Sequence, residues 1–363
     1  MLQYLGTFSR GNNQHTWQDA STRLSARFPL ERFDLLTNPT TNAADIKRFF
    51  GVEYIPASSG VPEHWRYSGA EAPSGAMQPS ISTLTGNNQD PDLSVLLRYA
   101  FPSGTSDPEI LSIIASLIDQ RDPNSDTTWI EYGTSASPQK AWGADSTPPT
   151  SPGDPRPNPA PVMLNRSFRN VGELGYGYRN GSTSLDFQTA ASVDARLLDL
   201  FSYNTAATRA GLVSLNTRNS AVLAAILKSA IISETSGAAV TNTNNTTGAA
   251  IAAAKRIVLE TIAQPALGRE NVSRLASGTV VTNTPFTGSE EARETISRAL
   301  AEIGQTRTWC LLIDVIGQAG RYPPNATGLD QFLVEGERRY WLHLAIDRVT
   351  GNVIDQQLEA VYE

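Results

Sequence analysis

Residues 340–347, YWLHLAID, decide the class of fold, because Tyr340, Leu342, Leu344 and Ile346 alternate with Trp341, His343, Ala345 and Asp347. A period of two is that of a strand whose successive side chains point to opposite faces of a sheet. Working outward, residues 309–316 (WCLLIDVI) form a compact apolar run. Beyond the turn signal Thr350-Gly351-Asn352, the residues Ile354, Leu358 and Ala360 fall on one side of a further run. Residues 305–363 are therefore expected to form an antiparallel sheet of at least three strands.

Upstream of this sheet the period changes to 3.6. Asp107-Pro108-Glu109 supplies an N-cap candidate, a first-turn proline and a first-turn acid ahead of Ile110, Ile113, Ile114, Leu117 and Ile118, which recur at helical spacing. Similar stripes follow at Val193, Leu197, Leu200 and Phe201, at Leu223, Ile226, Leu227, Ala230 and Ile231, and at Ile251, Val258 and Ile262. The last, Ala292, Ile296, Leu300 and Ile303, is preceded by Thr287 and Glu290 in capping-box spacing. Residues 91–304 thus read as a helical domain, and strands that follow helices indicate an α+β protein rather than an alternating α/β one. Residues 1–90 read as a loop-rich part contributing strands and short helices.

Length and composition agree with this division. A chain of 363 residues has room for two or three structural units. Only 18% of residues are charged, and Ser, Thr, Asn, Gly and Pro fill the shortfall, so long polar loops are expected. Residues 133–162 hold eight prolines and read as a disordered or exposed loop. Residues 233–248, ending in TNTNNTTG, read as a second polar loop.

The chemistry-bearing residues are sparse. A net charge of -7 without any basic run argues against nucleic acid as a partner. The single cysteine, Cys310, excludes an intramolecular disulfide and a cysteine zinc site, and its apolar neighbours Trp309 and Leu311 mark it as a buried structural thiol. His15, His64 and His343 lie far apart without metal-ligand spacing, and His343 reads as a sheet-face histidine. There is no GxSxG elbow and no P-loop, while Gly172, Gly175, Gly177 and Gly181 read as a turn. Nothing here composes a catalytic site, and the expectation is a protein that is not an enzyme. No stretch approaches 18 apolar residues, and no signal peptide or membrane-spanning segment is written in the chain.

The most specific polar constellation is residues 118–131, IDQRDPNSDTTWIE. Asp122, Asn124 and Asp126 stand at alternate positions after a helix that delivers Asp119, and alternating hard oxygen ligands in a tight loop suit calcium. Thr127 replaces the glycine of an EF-hand loop and Glu131 comes two positions early, so the alternative is an Asx-rich turn bonding to its own backbone. Asp119, Asp122, Asn124 and Asp126 are the candidate metal ligands.

Several segments in order resemble one family. IIASLIDQRDPNSD (113–126), the proline-rich loop, NRSFRNVGELGYGYR (165–179), LLDLFSY (197–203) and AGLVSLNTRNSAVLAAIL (210–227) are similar to the succession in K-type minor pseudopilins of type II secretion systems. Residues 293–324 and 332–363 resemble the end of the Verru_Chthon cassette protein A family, which is prepilin-related. The resemblance implies a pilin-like antiparallel sheet with a large helical domain inserted between its early and its C-terminal strands. It implies a tip-located subunit of a cell-envelope or periplasmic filament, with pseudopilin or pilin-like partners, and calcium held at the acidic turn. It also implies a prepilin leader and apolar helix upstream, so that the chain looks like the C-terminal portion of a longer protein and meets the membrane only through that helix.

Two other readings remain open. LNTRNSAVLAAIL (215–227) resembles the opening of a helix-hairpin-helix nucleic-acid module, although Lys228 to Ile232 lack its glycine hairpin. Trp17, Trp65, Trp129 and Trp142 in polar surroundings suggest a secreted carbohydrate-binding or hydrolase domain, provided that they form an exposed row.

Overall fold

The computed structural model describes residues 8–14, 27–83, 90–146, 162–180, 183–240 and 246–362. With 32% helix and 27% strand, the chain is a mixed α+β protein. It forms two compact units of interleaved segments. The larger takes Gln14–Thr205 and Leu215–Thr306, the smaller Met1–Asn13, Ala206–Ser214 and Arg307–Glu363. Residues 1–90 do not stand apart, because the strand His64–Tyr67 pairs with Ile130 and Glu131 and the strand Arg10–Asn12 with Thr208–Ala210.

In the larger unit the central element is a helix enclosed on every side. Three helices come first: α1 (Ala43–Phe50), α2 (Leu93–Ala100) and α3 (Asp107–Arg121), and every residue of α3 from Ile110 to Gln120 is buried. A helix without a polar face needs neighbours all round. The N-cap of α3 is Ser106, one residue before Asp107, and Glu109 reaches back to accept from the Ser106 backbone N–H at 3.0 Å. Asp107 instead accepts from the Ile81 N–H at 3.1 Å.

Beside α3 lies a four-stranded sheet, β1 (Val52–Ile55), β2 (His64–Tyr67), β3 (Trp129–Thr134) and β4 (Ser137–Trp142), in that order. β2 and β3 run parallel, with Trp65 opposite Ile130, and the connection between them carries α2 and α3, as a parallel crossover requires. The hairpin β3–β4 corrects the loop expected at 133–162. Proline is tolerated at Pro138 because β4 is an edge strand, and Ala141 and the following Gly143–Asp145 are buried against the unit. Residues 147–161, with most of the prolines, lie outside the described residues.

The second half of this unit packs α4 (Ser220–Leu227) on α5 (Thr246–Ala263), with α6 (Glu290–Ala301) beyond. Asn219 caps α4 by accepting from the Ala221 N–H at 3.1 Å. The buried apolar stripe of α5 is made of Ala250, Ala253, Ala254, Ile257 and Val258, its alanines small enough for close helix approach, while Ile251 is half-buried and Ile262 exposed. α6 is capped by Ser289 rather than Thr287, its hydroxyl accepting from the Ala292 N–H. Around Val193–Phe201 only Leu197–Leu200 is α-helical, preceded by a 3-10 turn. The loop expected at 233–248 holds the second strand of a short hairpin, Ile231–Ser233 with Ala238–Ala239, and the start of α5.

Arg269 locks three of these segments together. It is 1% exposed and donates to the carbonyls of Leu198 (3.0 Å), Phe201 (2.8 Å), Glu302 and Gly304 (both 3.3 Å). Its donors meet carbonyls at the C-terminal ends of two helical segments, where such groups lack intrahelical partners.

The smaller unit is built on an antiparallel sheet of three long strands, β5 (Thr308–Arg321), β6 (Leu333–Asp347) and β7 (Val353–Val361), in that order. Register fixes the faces. Trp309, Leu311, Ile313 and Val315 stand opposite Ile346, Leu344, Leu342 and Tyr340, and across β6 Val353, Leu358 and Ala360 join the same face. A bulge at Ala345/Ile346 shifts β7 by one residue, so Val353 rather than Ile354 shares the face with Leu358. The opposite face carries Cys310, Leu312, Asp314, His343 and Asp355.

On that opposite face sits a two-stranded ribbon, Arg10–Asn12 paired with Thr208–Ala210. Arg10 Nε is 2.7 Å from Asp355 Oδ2, Asn12 Nδ2 is 2.9 Å from Asp347 Oδ2, and Phe8 lies 5.3 Å from the His343 ring. His343 is therefore a buried sheet-face histidine. Cys310 is exposed, not buried, since the ribbon meets it only through Arg10, whose backbone N–H lies 3.3 Å from Sγ. The early strands do not share a sheet with the C-terminal ones: β1 pairs with β2, and β2 with β3 of the larger unit.

Arg269→Met is expected to leave four buried carbonyls short of a donor and to cost about 3 kcal/mol or more in urea unfolding of the full chain. A loss below about 1 kcal/mol would contradict the role given to Arg269.

Candidate functional site

The C-terminal end of α3 delivers carboxylates into the core. Asp119 is fully buried because it stands on the side of α3 that faces β4, and the backbone of Gly143 crosses there so closely that a Cβ would lie 2.1 Å from Asp119 Oδ2 and 2.8 Å from the Ala115 carbonyl carbon. Oδ1 accepts from the Thr128 N–H at 2.7 Å, while Oδ2 has no hydrogen-bond partner. One turn on, Asp122 is half-buried and its Oδ1 is also buried without a partner. Asp145, just past Gly143, buries a third unpartnered oxygen, Oδ2.

These three carboxyls act on one another. Burial pushes Asp119 well above the usual carboxylate range, and the charges of Asp122 and Asp145 add to it. Burial and then Asp145 push Asp122 up to about 7. Asp145 is raised too, by burial first and then by Asp126.

Asn124 and Asp126 do something different. Both are exposed, and Asn124 Oδ1 accepts from the Asp126 N–H at 2.7 Å, closing an Asx turn. The turn geometry thus takes up the oxygen that the sequence offered to a cation. Among the described residues no group of three His, Cys, Asp or Glu side chains converges as a ready metal site. Around this turn the carboxylates with an oxygen left without a partner are Asp119, Asp122 and Asp145. Asp145 escapes sequence reading because it follows the proline-bearing edge strand, in a stretch that composition marks as loop.

The other candidates are separate. His64 stacks on Trp129 at 4.1 Å, with Lys140 on that ring at 3.9 Å, while His15 lies outside the described residues. Trp65 and Trp129 are buried and Trp142 is half-buried, so these three offer no exposed aromatic row, and Trp17 lies outside the described residues. The Gly172–Gly177 stretch is a 3-10 turn, Val171–Tyr176, and Gly181 lies outside the described residues. Between α4 and α5 stands a β-hairpin where a helix-hairpin-helix module would have a tight glycine turn.

The second feature of the molecule able to recognise something is the apolar face of the C-terminal sheet. Trp309 is 55%, Leu358 64% and Val353 54% exposed, and Leu311, Ile313 and Val315 beside them are exposed as well. Among the described residues of its unit no helix or strand packs on this face, whereas the ribbon packs on part of the other and leaves Leu312 and Ile316 there exposed. Six neighbouring apolar side chains, each more than a third exposed, make a contiguous patch of the kind that marks an interaction surface. No helix among the described residues is long and apolar enough to cross a membrane. No protein-family model, curated protein or solved structure matches the chain.

A carboxyl raised in the folded chain keeps its proton where the unfolded chain has lost it, so its burden is absent below about pH 4 and complete above the folded value. For Asp122 that value is about 7. Without divalent cations, Asp122→Asn is expected to raise the melting temperature at about pH 8 and leave it nearly unchanged at about pH 4. An equal or lower melting temperature at the higher pH would contradict the burden assigned to Asp122.

Proposed function

We propose that the chain is a non-enzymatic structural subunit of a cell-envelope filament, similar to the minor pseudopilins of type II secretion systems or the subunits of type IV pilus-like fibres. It acts by packing against pilin-like partners, from a place at the filament tip. The observation that carries this reading is the apolar face of the C-terminal sheet. Its core from Trp309 to Val315 runs about 20 Å, the length of about fourteen residues of α-helix. An apolar helix laid along it would bury Trp309, Leu311, Ile313, Val315, Val353 and Leu358 together. A surface of this kind binds by shape and burial and needs no reacting groups.

The interleaving of the two units along the chain also supports the reading, since a bulky insertion in a sheet-bearing subunit suits a tip position better than a repeated one. In the same reading calcium is the cation that meets the charge of the acidic turn, with the half-buried Asp122 as its carboxylate ligand. Asn124 and Asp126, spent on the turn, would shape the loop rather than ligate. The location proposed is the cell envelope, with no nucleic-acid partner.

A photo-crosslinking residue at Ile313, in cells carrying the chain's own gene, is expected to yield an adduct with a pilin-like subunit in the envelope fraction. The same residue at Asp314, on the other face, should yield none. The absence of an Ile313 adduct, or recovery of the chain only from the cytosol, would overturn the proposal. Calcium at about 1 mM is expected to raise the melting temperature of the native chain and not of Asp122→Ala. An equal rise in both would remove the acidic turn as its site.

A further inference from the structure

The start of α6 holds more acid than helix capping explains. Glu290 and Glu291 in its first turn are ordinary partners of a helix N-terminus. Glu294, one turn on, is 3% exposed and its Oε1 has no hydrogen-bond partner. It lines a cavity of about 50 Å³ together with Tyr176, Tyr178, Ser184, Glu290 and Glu291. Tyr176 is buried, and its hydroxyl also lacks a partner. Space for the carboxylate depends on Gly175, where a Cβ would lie 2.8 Å from Glu294 Oε2 and 3.2 Å from the Phe187 ring.

Arg298 is the cation paired with Glu294, through Oε2 alone, and Oε1 is left without a partner. Arg298 Nη1 is 3.4 Å from Glu294 Oε2, but Nη2 donates to the carbonyls of Ile231, Ile232 and Glu291, and the guanidinium lies 5.1 Å from the Tyr176 ring centre. Arg166 pairs with Glu173 and Glu234. The charges of Glu234 and Asp186 also reach this region, so acid outweighs base around the cavity. Glu290, exposed and bonded to the Ser184 hydroxyl, stands at the mouth, with Glu294 deeper.

We propose that this cavity binds the ammonium head of a primary alkylamine, with Glu294 as its buried counter-ion and the rings of Tyr176 and Tyr178 beside the cation. A single metal ion fits less well, because the three glutamates are not among groups that converge on one point. At about 10–15 Å³ for each water-sized body, the cavity holds a head group of a few heavy atoms, and the alkyl stem would leave through the mouth. Aromatic rings and an excess of carboxylate, with Glu294 Oε1 left without a partner, are the chemistry that selects an organic cation over an anion or a neutral solute. Burial first, then the charges of Glu290 and Asp186 against that of Arg298, pushes Glu294 up to about 8. Near neutral pH an entering ammonium therefore displaces a proton from Glu294.

The test is calorimetric titration of the full chain with n-butylammonium in two buffers of different ionisation enthalpy. The expected result is saturable binding with proton release, tightening as the pH rises through about 8 and weakened about tenfold or more by Glu294→Gln. Two further ligands distinguish the source of the amine. Binding of N-acetyl-lysine methylamide equal to that of butylammonium supports the proposal with a protein lysine as ligand. Tighter binding of 1,4-diaminobutane supports it with a free diamine. Absence of butylammonium binding to the native chain up to about 10 mM, or equal binding by a folded Glu294→Gln chain, would overturn it.

Discussion

A helix with apolar side chains on every face persists in water only when other elements enclose it, and the larger unit is arranged around that requirement. α3 is buried from Ile110 to Gln120, so β3 and β4 close one side, and α2 and the Val171–Arg179 stretch pack on others. The closeness of that enclosure has a consequence at Gly143, where backbone meets helix with no space for a side chain. Asp119 is carried into the core by the same geometry, and with Asp122 and Asp145 it leaves three oxygens unpartnered. The acidic site is thus a product of packing, and its charge must be met by protons or by a cation.

The smaller unit has the opposite problem. Its sheet has two faces and one ribbon to cover them, and the ribbon goes to the face bearing Asp347 and Asp355, which Asn12 and Arg10 bond. The apolar face stays exposed among the described residues. An exposed sheet face of this size is a liability for an isolated molecule and a ready surface for an assembling one. Stability within the larger unit and an open face on the smaller are compatible with one chain because buried contacts such as those of Arg269 with the Leu198, Phe201 and Gly304 carbonyls lie within the larger unit.

Much of this was legible in the sequence where periodicity is strong. The alternation at 340–347 and the apolar run at 309–316 located β5 and β6, and Asp107-Pro108-Glu109 located α3, with the cap one residue earlier at Ser106. What periodicity does not carry was missed. Pro138 marked a loop, yet an edge strand tolerates proline; the bulge at Ala345/Ile346 exchanged Ile354 for Val353; Cys310 sat in an apolar run that remains exposed. Asp119 and Asp122 were legible as acids at a helix end, but Asp145 joins them only through the tertiary fold. Likewise the cavity at Glu294 brings together residues more than a hundred positions apart, which no local pattern reveals.

The most direct measurement of the central claim is the reactivity of a thiol on the apolar face, in the double variant Cys310→Ser, Leu311→Cys. The account predicts rapid labelling by a water-soluble maleimide in the purified chain and protection of the same thiol in envelopes of cells that assemble it. Equal labelling in both states would contradict the account, since the face would then remain in water where the chain does its work.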